Sequence, residues 1–414
     1  MTVWSRRTKT AQWILAGAAA LCTGVAFGHG TAGAPASDGS RIIEFPDTAT
    51  HETLVVDLHT HSVFSDGHVW PSIRIGEALR DGLDAMAVTE HLEWQPHRAD
   101  IPHPDRNRSY SDARDAANGS QLIVIPGSEI TRAAPAGHMN AIFISDANAL
   151  FKVEEAPADA SDAVAYYQVA NQWPAAEAVK AASSQGAFVF WNHPYYTRIY
   201  KNAIARMTDF HSALIRAGHL HGIEVANGNT YSEEALQMAL DHDLTILGVS
   251  DVHNLIDWDY QPAAGGHRPV TLVFTKERSA QAIKDALFAQ RTVVWFKNLL
   301  IGRNDQLTPL LDASLEVADA RYRPDLEIVR LTLKNSSSAR LMLRNTTDYT
   351  FLDHPDLLEV PAHGTTQVTV RPQQVVAELS LEFEVVNALT APKVHPRWRR
   401  TVQIADVPGT EATQ

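Results

Sequence analysis

The chain has 414 residues, of which 45% are hydrophobic and 20% are charged, the composition of a globular protein with room for two or three domains. Its formal net charge is −13 at pH 7, and an acidic surface repels polyanions, which excludes DNA and RNA as expected partners. The only cysteine is Cys22, so we expect neither disulfides nor thiolate catalysis in the chain beyond the N-terminal segment.

Residues 1–28 have the pattern of an export signal. Three basic residues, Arg6, Arg7 and Lys9, precede the apolar run WILAGAAALCTGVAFG, which ends in small residues and is too short for a typical transmembrane helix. We therefore expect a periplasmic or secreted protein that does not associate with a membrane once the signal is cleaved. Residues 29–50 are predicted to be a linker.

Residues 51–303 alternate between short apolar runs and helical patterns. Continuous apolar runs are typical of strands that are buried on both faces of a parallel sheet. The intervening segments, such as PSIRIGEALRDG and SEEALQMALDHD, begin with Pro or Ser, as helices prefer. Strand–helix alternation over about 250 residues predicts an α/β fold of the TIM-barrel type. The predicted strands are 53–59, 84–91, 122–129, 187–193, 222–228, 244–251, 270–274 and 292–296.

Residues 304–408 have a different pattern. Segments such as EIVRLTLKN and TTQVTVRP alternate apolar and polar residues, and Asn, Ser, Gly and Pro lie between them, which predicts an antiparallel sheet. We expect a C-terminal β-sandwich domain without catalytic residues, followed by a tail at 409–414. Only a few residues separate the last barrel run from this domain, so we expect the two domains to pack directly against each other.

Nine residues of the types that bind metal ions recur next to the apolar runs of the barrel pattern. In a barrel of parallel strands, the carboxyl ends of all strands open onto one mouth, so we expect these side chains to converge there. His59 and His61 lie two positions apart, and a strand projects residues at this spacing to the same face. The nine are His59, His61, Asp66, His91, Glu129, His138, His193, Asp251 and His253.

Nine ligands are too many for one ion, since zinc takes about four and manganese about five or six. We therefore predict two or three divalent ions. The mixture of histidine and carboxylate without sulfur favours Mn²⁺ or Zn²⁺, with Fe²⁺ also compatible. Glu129 is the one glutamate among the nine residues and is predicted to bridge two ions.

The motifs HTHSVFSDG, TEH, GSEI, GHMN, NHP and SDVH, in this order, resemble those of the PHP (polymerase and histidinol phosphatase) superfamily over residues 51–300. An exported barrel with a β-rich tail is most similar to bacterial PHP phosphodiesterases that act on organophosphate diesters. The resemblance implies a distorted (β/α)₇ barrel with three metal ions. It also implies a division of ligands: His59, His61, Glu129 and Asp251 for the first ion, Glu129, His138 and His193 for the second, and Asp66, His91 and His253 for the third.

The predicted activity is hydrolysis of small organic phosphodiesters. Clustered divalent ions neutralise the anionic oxygens of the ester and lower the pKa of bound water to roughly 7, which would supply a metal-bridged hydroxide as the nucleophile. We assign catalytic roles to Glu129, Asp251 and His253. Arg198 and Tyr195, in the segment HPYYTRIY, are predicted to bind the substrate, because arginine contacts phosphate oxygens in pairs.

Residues near the predicted ligands have supporting roles in this interpretation. Glu90 and Asp57 are predicted to orient metal-bound histidines. Residues 93–110 are rich in His, Arg and Pro and are long enough to form a lid that sets specificity. Asn227 is predicted to be a turn residue.

Three other functions remain open. A phosphomonoesterase of the same family would use the same site. An amidohydrolase-like metallohydrolase also has the His-x-His pair, usually with a carboxylated lysine or a glutamate as bridge, but Lys180 lies in a predicted helix and Lys201 in a predicted loop. A non-catalytic periplasmic binding protein would use the β-rich domain instead. The favoured partner is a small-molecule phosphoester, and the sequence does not indicate an oligomeric state.

Overall fold

The structure, a computed structural model, describes residues 41–198, 201–323 and 326–408. The predicted export signal at 1–28, the first part of the predicted linker up to residue 40 and the predicted tail at 409–414 lie outside these residues. Within the described ranges, no helix has the length and apolar character needed to cross a membrane.

The barrel part of the chain contains eleven strands and most of the helices. Its strands are β1 (Glu52–Asp57), β2 (Ala85–Val88), β3 (Ile123–Thr131), β4 (His138–Ile142), β5 (Phe188–Trp191), β6 (Gly222–Asn227), β7 (Thr230–Tyr231), β8 (Thr245–Val249), β9 (Val270–Thr275), β10 (Thr292–Phe296) and β11 (Leu299–Gly302). The helices are α1 (Pro71–Arg80), α2 (Arg108–Ala116), α3 (Ala163–Ala170), α4 (Ala175–Ser184), α5 (Asp209–Arg216), α6 (Glu233–Asp241), α7 (Ile256–Tyr260), α8 (Ala280–Phe288) and α9 (Asn304–Ser314). Short 3₁₀ helices span Ala147–Leu150 and Pro262–Ala264.

The helices that the sequence predicted form for the expected local reasons. Pro71 occupies the first turn of α1, where its missing N–H costs nothing. The side chains of Ser232 and Ser279 accept hydrogen bonds from the first-turn amides of Ala235 and Ala282, and so cap α6 and α8. The predicted helices and strands of the barrel are therefore confirmed as elements.

The strands close into a distorted (β/α)₇ barrel, as expected. Strands β1, β2 and β3 are parallel neighbours, as are β5, β6 and β8. Strand β4 runs antiparallel between β3 and β5, and β9 runs antiparallel to β1. The remaining gap between β8 and β9 is joined through Thr271, whose hydroxyl accepts from the Gly248 amide at 3.0 Å and donates to the Gly248 carbonyl at 2.8 Å.

One of the predicted parallel strands, β9, runs in the opposite direction, whereas β10 runs in the direction of β1. The runs at 270–274 and 292–296 form β9 and β10, which pair antiparallel with each other, and β9 also pairs antiparallel with β1. Both strands are wholly buried. Continuous apolar character reports burial on both faces and not the direction of a strand, so the pattern could not distinguish the two cases.

The C-terminal part is the predicted β-sandwich. One antiparallel sheet has the order β12-β13-β17-β15, and the other has the order β16-β14-β18-β20. In β18 the residues Leu379, Leu381, Phe383 and Val385 are buried and alternate with more exposed ones, as a half-buried sheet requires. The strands are β12 (Leu315–Tyr322), β13 (Val329–Asn335), β14 (Leu341–Asn345), β15 (Thr350–Phe351), β16 (Leu357–Val360), β17 (Thr365–Arg371), β18 (Glu378–Val385), β19 (Ala388–Leu389) and β20 (Arg397–Gln403).

The sandwich is joined to the barrel through strand β19. This strand leaves the sandwich and pairs in parallel with β11, at the edge of the barrel sheet. The Asn387 side chain precedes it and donates to the carbonyls of Asn298 and Arg340, both at 2.8 Å, and accepts from the Met342 amide at 2.8 Å. Barrel and sandwich residues also share one apolar cluster. The two parts therefore pack directly against each other.

Residues 41–50, which the sequence analysis placed in the linker, pack against the body of the protein. Ile43 and Phe45 are buried, and Phe45 contacts the ring of Trp295 edge-on. The backbone of Glu44 exchanges hydrogen bonds with the backbone and hydroxyl of Ser338 at 2.9 Å. Ile43 and Phe45 have the alternating spacing of a short strand, but the surrounding segment is rich in Pro, Ser and Gly, which favoured the prediction of a linker.

We predict that Asn387→Ala lowers the thermal unfolding midpoint, because two partly buried backbone groups and one exposed carbonyl lose their partner at a cost of about 1–3 kcal/mol. Thermal denaturation followed by circular dichroism measures this. Asn229→Ala, at an exposed asparagine, is the control and should leave the midpoint unchanged. Equal midpoints for the two variants would contradict the role given to Asn387.

Candidate metal centre

The structure brings all nine candidate ligands together at one end of the barrel. Among the parallel strands, β1, β2, β3, β5 and β8 deliver their candidates near or just beyond their carboxyl ends. Strand β4 is antiparallel and delivers its first residue to the same end. Candidates come from β1 (His59, His61 and, in the following turn, Asp66), β2 (His91), β3 (Glu129), β4 (His138), β5 (His193) and β8 (Asp251, His253).

The first group of donors lies at the ends of β1 and β8. The Nε2 atoms of His59 and His61 are 3.0 Å apart, and Asp251 Oδ1 lies 3.2 Å and 3.1 Å from them. The two oxygens of Glu129 approach the same nitrogens at 3.7 Å and 3.6 Å. Four donor side chains thus face one small volume.

The second group of donors is arranged around Glu129. Its Oε1 atom lies 3.0 Å from His138 Nδ1 and 3.5 Å from His193 Nε2, and its Oε2 atom lies 2.5 Å from His91 Nδ1. Asn192 also donates to Oε1 at 2.9 Å. Glu129 is therefore the residue that the donor groups share.

The third group of donors lies around Asp66. The Oδ1 atom of Asp66 is 3.1 Å from His253 Nε2 and 3.4 Å from His91 Nε2. His61 Nδ1 is 3.9 Å from the same oxygen. His61 and His91 thus connect this group to the other two.

The donor set fits divalent cations. His59 Nδ1 lies 2.7 Å from the buried carboxylate of Glu224, and His59 Nε2 lies 3.0 Å from His61 Nε2. Two buried carboxylate oxygens, Glu129 Oε2 and Asp66 Oδ1, lie close to imidazole nitrogens but receive no hydrogen bond of suitable geometry from the described residues. Buried nitrogen and oxygen atoms this close together, with carboxylate oxygens left unsatisfied, are costly unless a cation lies between them. Nitrogen and oxygen donors without sulfur suit zinc, manganese or iron.

The electrostatics of the cluster favour the metal-binding forms of Glu129 and His61. Burial would raise the pKa of Glu129, but His91, His138 and His59 outweigh it and hold that pKa well below the ordinary value. Burial, together with His253 and His91, lowers the pKa of His61 to about 3. Near neutral pH, Glu129 is therefore ionised and His61 is neutral, which is the form in which each binds a metal ion.

Glu224 is a functional residue that the sequence analysis missed. Its fully buried carboxylate accepts from His59 Nδ1 and from the His193 amide, each at 2.7 Å. It also accepts from Asn227 Nδ2 at 2.8 Å. The sequence did contain a signal, namely a single carboxylate inside the apolar run GIEVANG. A buried carboxylate is costly without a hydrogen-bond donor or an opposite charge, so its presence indicates that such a partner lies nearby. Such groups fix the orientation of metal-bound histidines.

Asn227, Glu90 and Asp57 also contact the cluster. Asn227 was predicted as a turn residue, and its amide donates to Asp251 Oδ2 at 3.1 Å. Glu90 acts through Ser65, whose hydroxyl lies 2.5 Å from Glu90 and 3.1 Å from His61 Nδ1. The Asp57 carboxylate pairs with the buried Arg268 at 3.2 Å and accepts from the His59 amide at 3.5 Å, so it contacts the backbone of His59 and not the imidazole ring.

Two residues of the cluster have backbone conformations that side chains rarely adopt. His193 has φ of 25° and Asp251 has φ of 50°, in the left-handed region. Such a conformation costs about 1–3 kcal/mol and persists only when the surroundings impose it. The Glu224 carboxylate holds the His193 amide, and the His59 carbonyl accepts from the Asp251 amide at 2.9 Å. The strain therefore places both side chains toward the cluster.

A cleft of about 750 Å³ opens above the cluster, which is the size of a small-molecule site. Both predicted substrate-binding residues line it. Tyr195 is buried, and its hydroxyl donates to the Thr230 carbonyl at 3.2 Å. Arg198 is exposed. Among the described lining residues there is no lysine, and Glu129 is the carboxylate that the donor groups share. The members of the cluster that line the cleft are Asp66, His91, His138, His193, Asp251 and His253.

The chain is similar to solved structures of phosphoesterases. A two-domain protein from Bacteroides vulgatus that contains a predicted PHP-like metal-dependent phosphoesterase is 38% identical, with a TM-score of 0.77, and the match covers 87% of this chain and 98% of that one. A protein from Bifidobacterium adolescentis described as a metal-dependent phosphoesterase is 21% identical, with a TM-score of 0.35, over 48% of this chain and 88% of that one. An amidohydrolase from Chromobacterium violaceum with bound sulfate and no metal is 18% identical, with a TM-score of 0.35, over 48% and 87%.

The sandwich is recognised separately. A family model described as an Ig-like domain matches residues 315–399, which contain most strands of both sheets. No curated protein matches the chain.

We predict that Glu224→Gln weakens metal binding by about 10-fold to 100-fold, because the amide keeps the size of the side chain but no longer accepts the His59 proton as a carboxylate. Competition with a metal-binding dye measures the affinity. Glu155→Gln, at an exposed glutamate, is the matched control. If both variants bind metal as tightly as the unmodified protein, Glu224 does not position His59.

Proposed function

Because this chain belongs to the PHP-like metal-dependent phosphoesterases, we propose that it hydrolyses small organic phosphodiesters at a cluster of three divalent ions. The family membership rests on the 38% identity to the Bacteroides vulgatus protein over nearly its whole length. The observation that carries the finer proposal is the arrangement of three overlapping donor groups directly beneath a cleft of about 750 Å³. Such a cleft has room for two organic groups on one phosphorus.

The proposed division of ligands follows the three donor groups. Glu129 is the shared carboxylate, and its two oxygens face different groups. We propose Mn²⁺ or Zn²⁺, with Fe²⁺ also compatible with these donors. The proposed ligands are His59, His61, Glu129 and Asp251 for the first ion, Glu129, His138 and His193 for the second, and Asp66, His91 and His253 for the third.

Bound divalent ions supply the charge that offsets the phosphoryl oxygens and lower the pKa of water to about 7, which provides the nucleophile. The proposed catalytic residues of the chain are Glu129, Asp251 and His253. Glu129 and Asp251 stay ionised in the neutral range, because the neighbouring histidines hold both pKa values well below the usual value in spite of burial. His253 is the most exposed of the three and faces the cleft, with its Nδ1 atom held by the Asp251 carbonyl at 2.8 Å.

Arg198 is proposed to bind the phosphate. Its side chain lines the cleft, is exposed and forms no ion pair within the described part of the chain. A free guanidinium can contact two phosphate oxygens at once. The other lining arginine, Arg132, is committed to Glu93 and to the Trp173 carbonyl. Tyr195 is proposed to shape the cleft, since its hydroxyl already donates to the Thr230 carbonyl.

The diester is favoured over the monoester by the space in the cleft. Its volume of about 750 Å³ accommodates two organic groups on one phosphorus, and a monoester would fill less of it. The bridging carboxylate and the open cleft above it favour catalysis over passive binding. Export to the periplasm stays a prediction that rests on residues 1–28. The proposed partner is a small-molecule phosphoester rather than a nucleic acid.

We predict two to three divalent ions per chain by elemental analysis after reconstitution. Asp66→Asn should lose about one ion, because Asp66 belongs to the third group alone, whereas Glu129→Gln should lose at least two ions together with turnover. Glu155→Gln again serves as the control. A single ion in the unmodified protein, or full metal content in Glu129→Gln, would sink the shared-carboxylate arrangement.

We predict that metal-loaded protein hydrolyses p-nitrophenyl diesters faster than the monoester. Arg198→Ala should raise KM for the anionic diester about tenfold and leave KM for a neutral triester unchanged, because only the diester offers anionic oxygens to the guanidinium. Initial rates over a range of substrate concentrations test both points. Preference for the monoester would establish the phosphomonoesterase alternative instead.

A further inference from the structure

Besides the buried Tyr195, three partly exposed aromatic side chains line the cleft, and we call Trp94, Tyr167 and Tyr196 the aromatic wall. They come from separate parts of the chain. Trp94 lies in the predicted lid segment after β2, Tyr167 lies in α3, and Tyr196 follows β5. All three are partly exposed. Convergence of three rings from distant segments on one cleft indicates a binding surface for a ligand.

The rings of the wall are arranged with open faces. The Trp94 and Tyr167 rings have centroids 5.8 Å apart and an interplanar angle of 83°, so they form an edge-to-face pair. The Tyr196 ring lies 5.2 Å from the His193 ring, next to the metal cluster. An edge-to-face pair with partly exposed faces can accept a third aromatic ring in the same geometry.

The wall does not contribute to the apolar interior. Among the described residues, none of its three members belongs to the buried clusters of the barrel or packs against them as a partly buried apolar group. The segment that carries Trp94 is instead fixed to α3 by Arg98, whose guanidinium lies 3.4 Å from the centre of the Tyr166 ring. This contact holds Trp94 and Tyr167 together without filling the cleft.

Two polar side chains of the cleft lining are already engaged. Arg132 pairs with Glu93 and the Trp173 carbonyl, and the Asn227 amide donates to Glu224 and Asp251. Arg198 is assigned to the phosphate in the proposed function, and the three rings of the wall remain for the organic part of the ligand. The wall suits a flat aromatic ring better than an aliphatic group.

We propose that the substrates are aryl phosphodiesters and that Trp94 and Tyr167 hold the aryl ring while the phosphate faces the cluster. This inference rests on the proposed phosphodiesterase function and names its substrate class. An aromatic partner gains about 0.5–1.5 kcal/mol over an aliphatic ring that buries the same area, which corresponds to about threefold to tenfold in affinity.

The test is calorimetric titration of manganese-loaded protein with methyl phenylphosphonate and methyl cyclohexylphosphonate. Both carry one negative charge, and in both the ring is held by a P–C bond, so they differ in aromaticity at similar size. The phenyl compound should bind about threefold to tenfold more tightly. In Trp94→Leu and in Tyr167→Leu this ratio should approach one, and in Trp94→Phe it should be retained.

Trp258→Leu, at an exposed tryptophan that does not line the cleft, is the matched control and should keep the ratio of the unmodified protein. A ratio near one in the unmodified protein, or a ratio that survives both leucine variants, overturns the aryl assignment. Tighter binding of the methyl ester of adenosine 5′-monophosphate than of the phenyl compound also overturns it, in favour of nucleotide diesters. A retained ratio without turnover of any diester overturns the proposed function and leaves the aryl site standing.

Discussion

The carboxylate of Glu129 is the interaction on which the site depends. It is fully buried, and the nitrogen atoms of His59, His61, His91 and His138 lie within 2.5–3.7 Å of its oxygens. A buried carboxylate is tolerated only with compensating charge, and a group of buried imidazoles is tolerated only with an acceptor. Each therefore makes the other possible, and divalent ions complete the neutralisation.

The distortion of the barrel follows from the placement of Glu129. A regular parallel barrel would put a helix between β3 and the next strand. Here β3 and β4 form an antiparallel pair in which Thr131 faces His138 and Glu129 faces Asn140. The pairing brings His138 within 3.0 Å of Glu129, nine residues away in the chain. A hairpin is thus the shortest way for neighbouring strands to supply two ligands to one centre.

The sequence was sufficient for the parts of the site that follow from strand periodicity. Residues such as His91 and His193 come directly after buried runs, and parallel strands end on one side of a barrel. The sequence was insufficient for Glu224 and Asn227, because the spacing around a single polar residue in an apolar run does not indicate which residue it contacts. The direction of β9 and the packing of Ile43 could not be predicted either, since an apolar pattern indicates burial but neither the direction of a strand nor the residues that it contacts.

The sandwich contributes to the stability of the fold, whereas the cleft contains the candidate site. Among the described residues that line the cleft, none comes from the sandwich, yet β19 supplies the last strand of the barrel sheet and Asn387 ties three backbone segments to it. Residues with a strained backbone conformation, such as His193 and Asp251, keep it only when a rigid surrounding frame prevents them from relaxing. The sandwich holds the edge of the barrel through β19 and Asn387, so we expect part of that frame to come from the sandwich although the local restraints come from Glu224 and the His59 carbonyl.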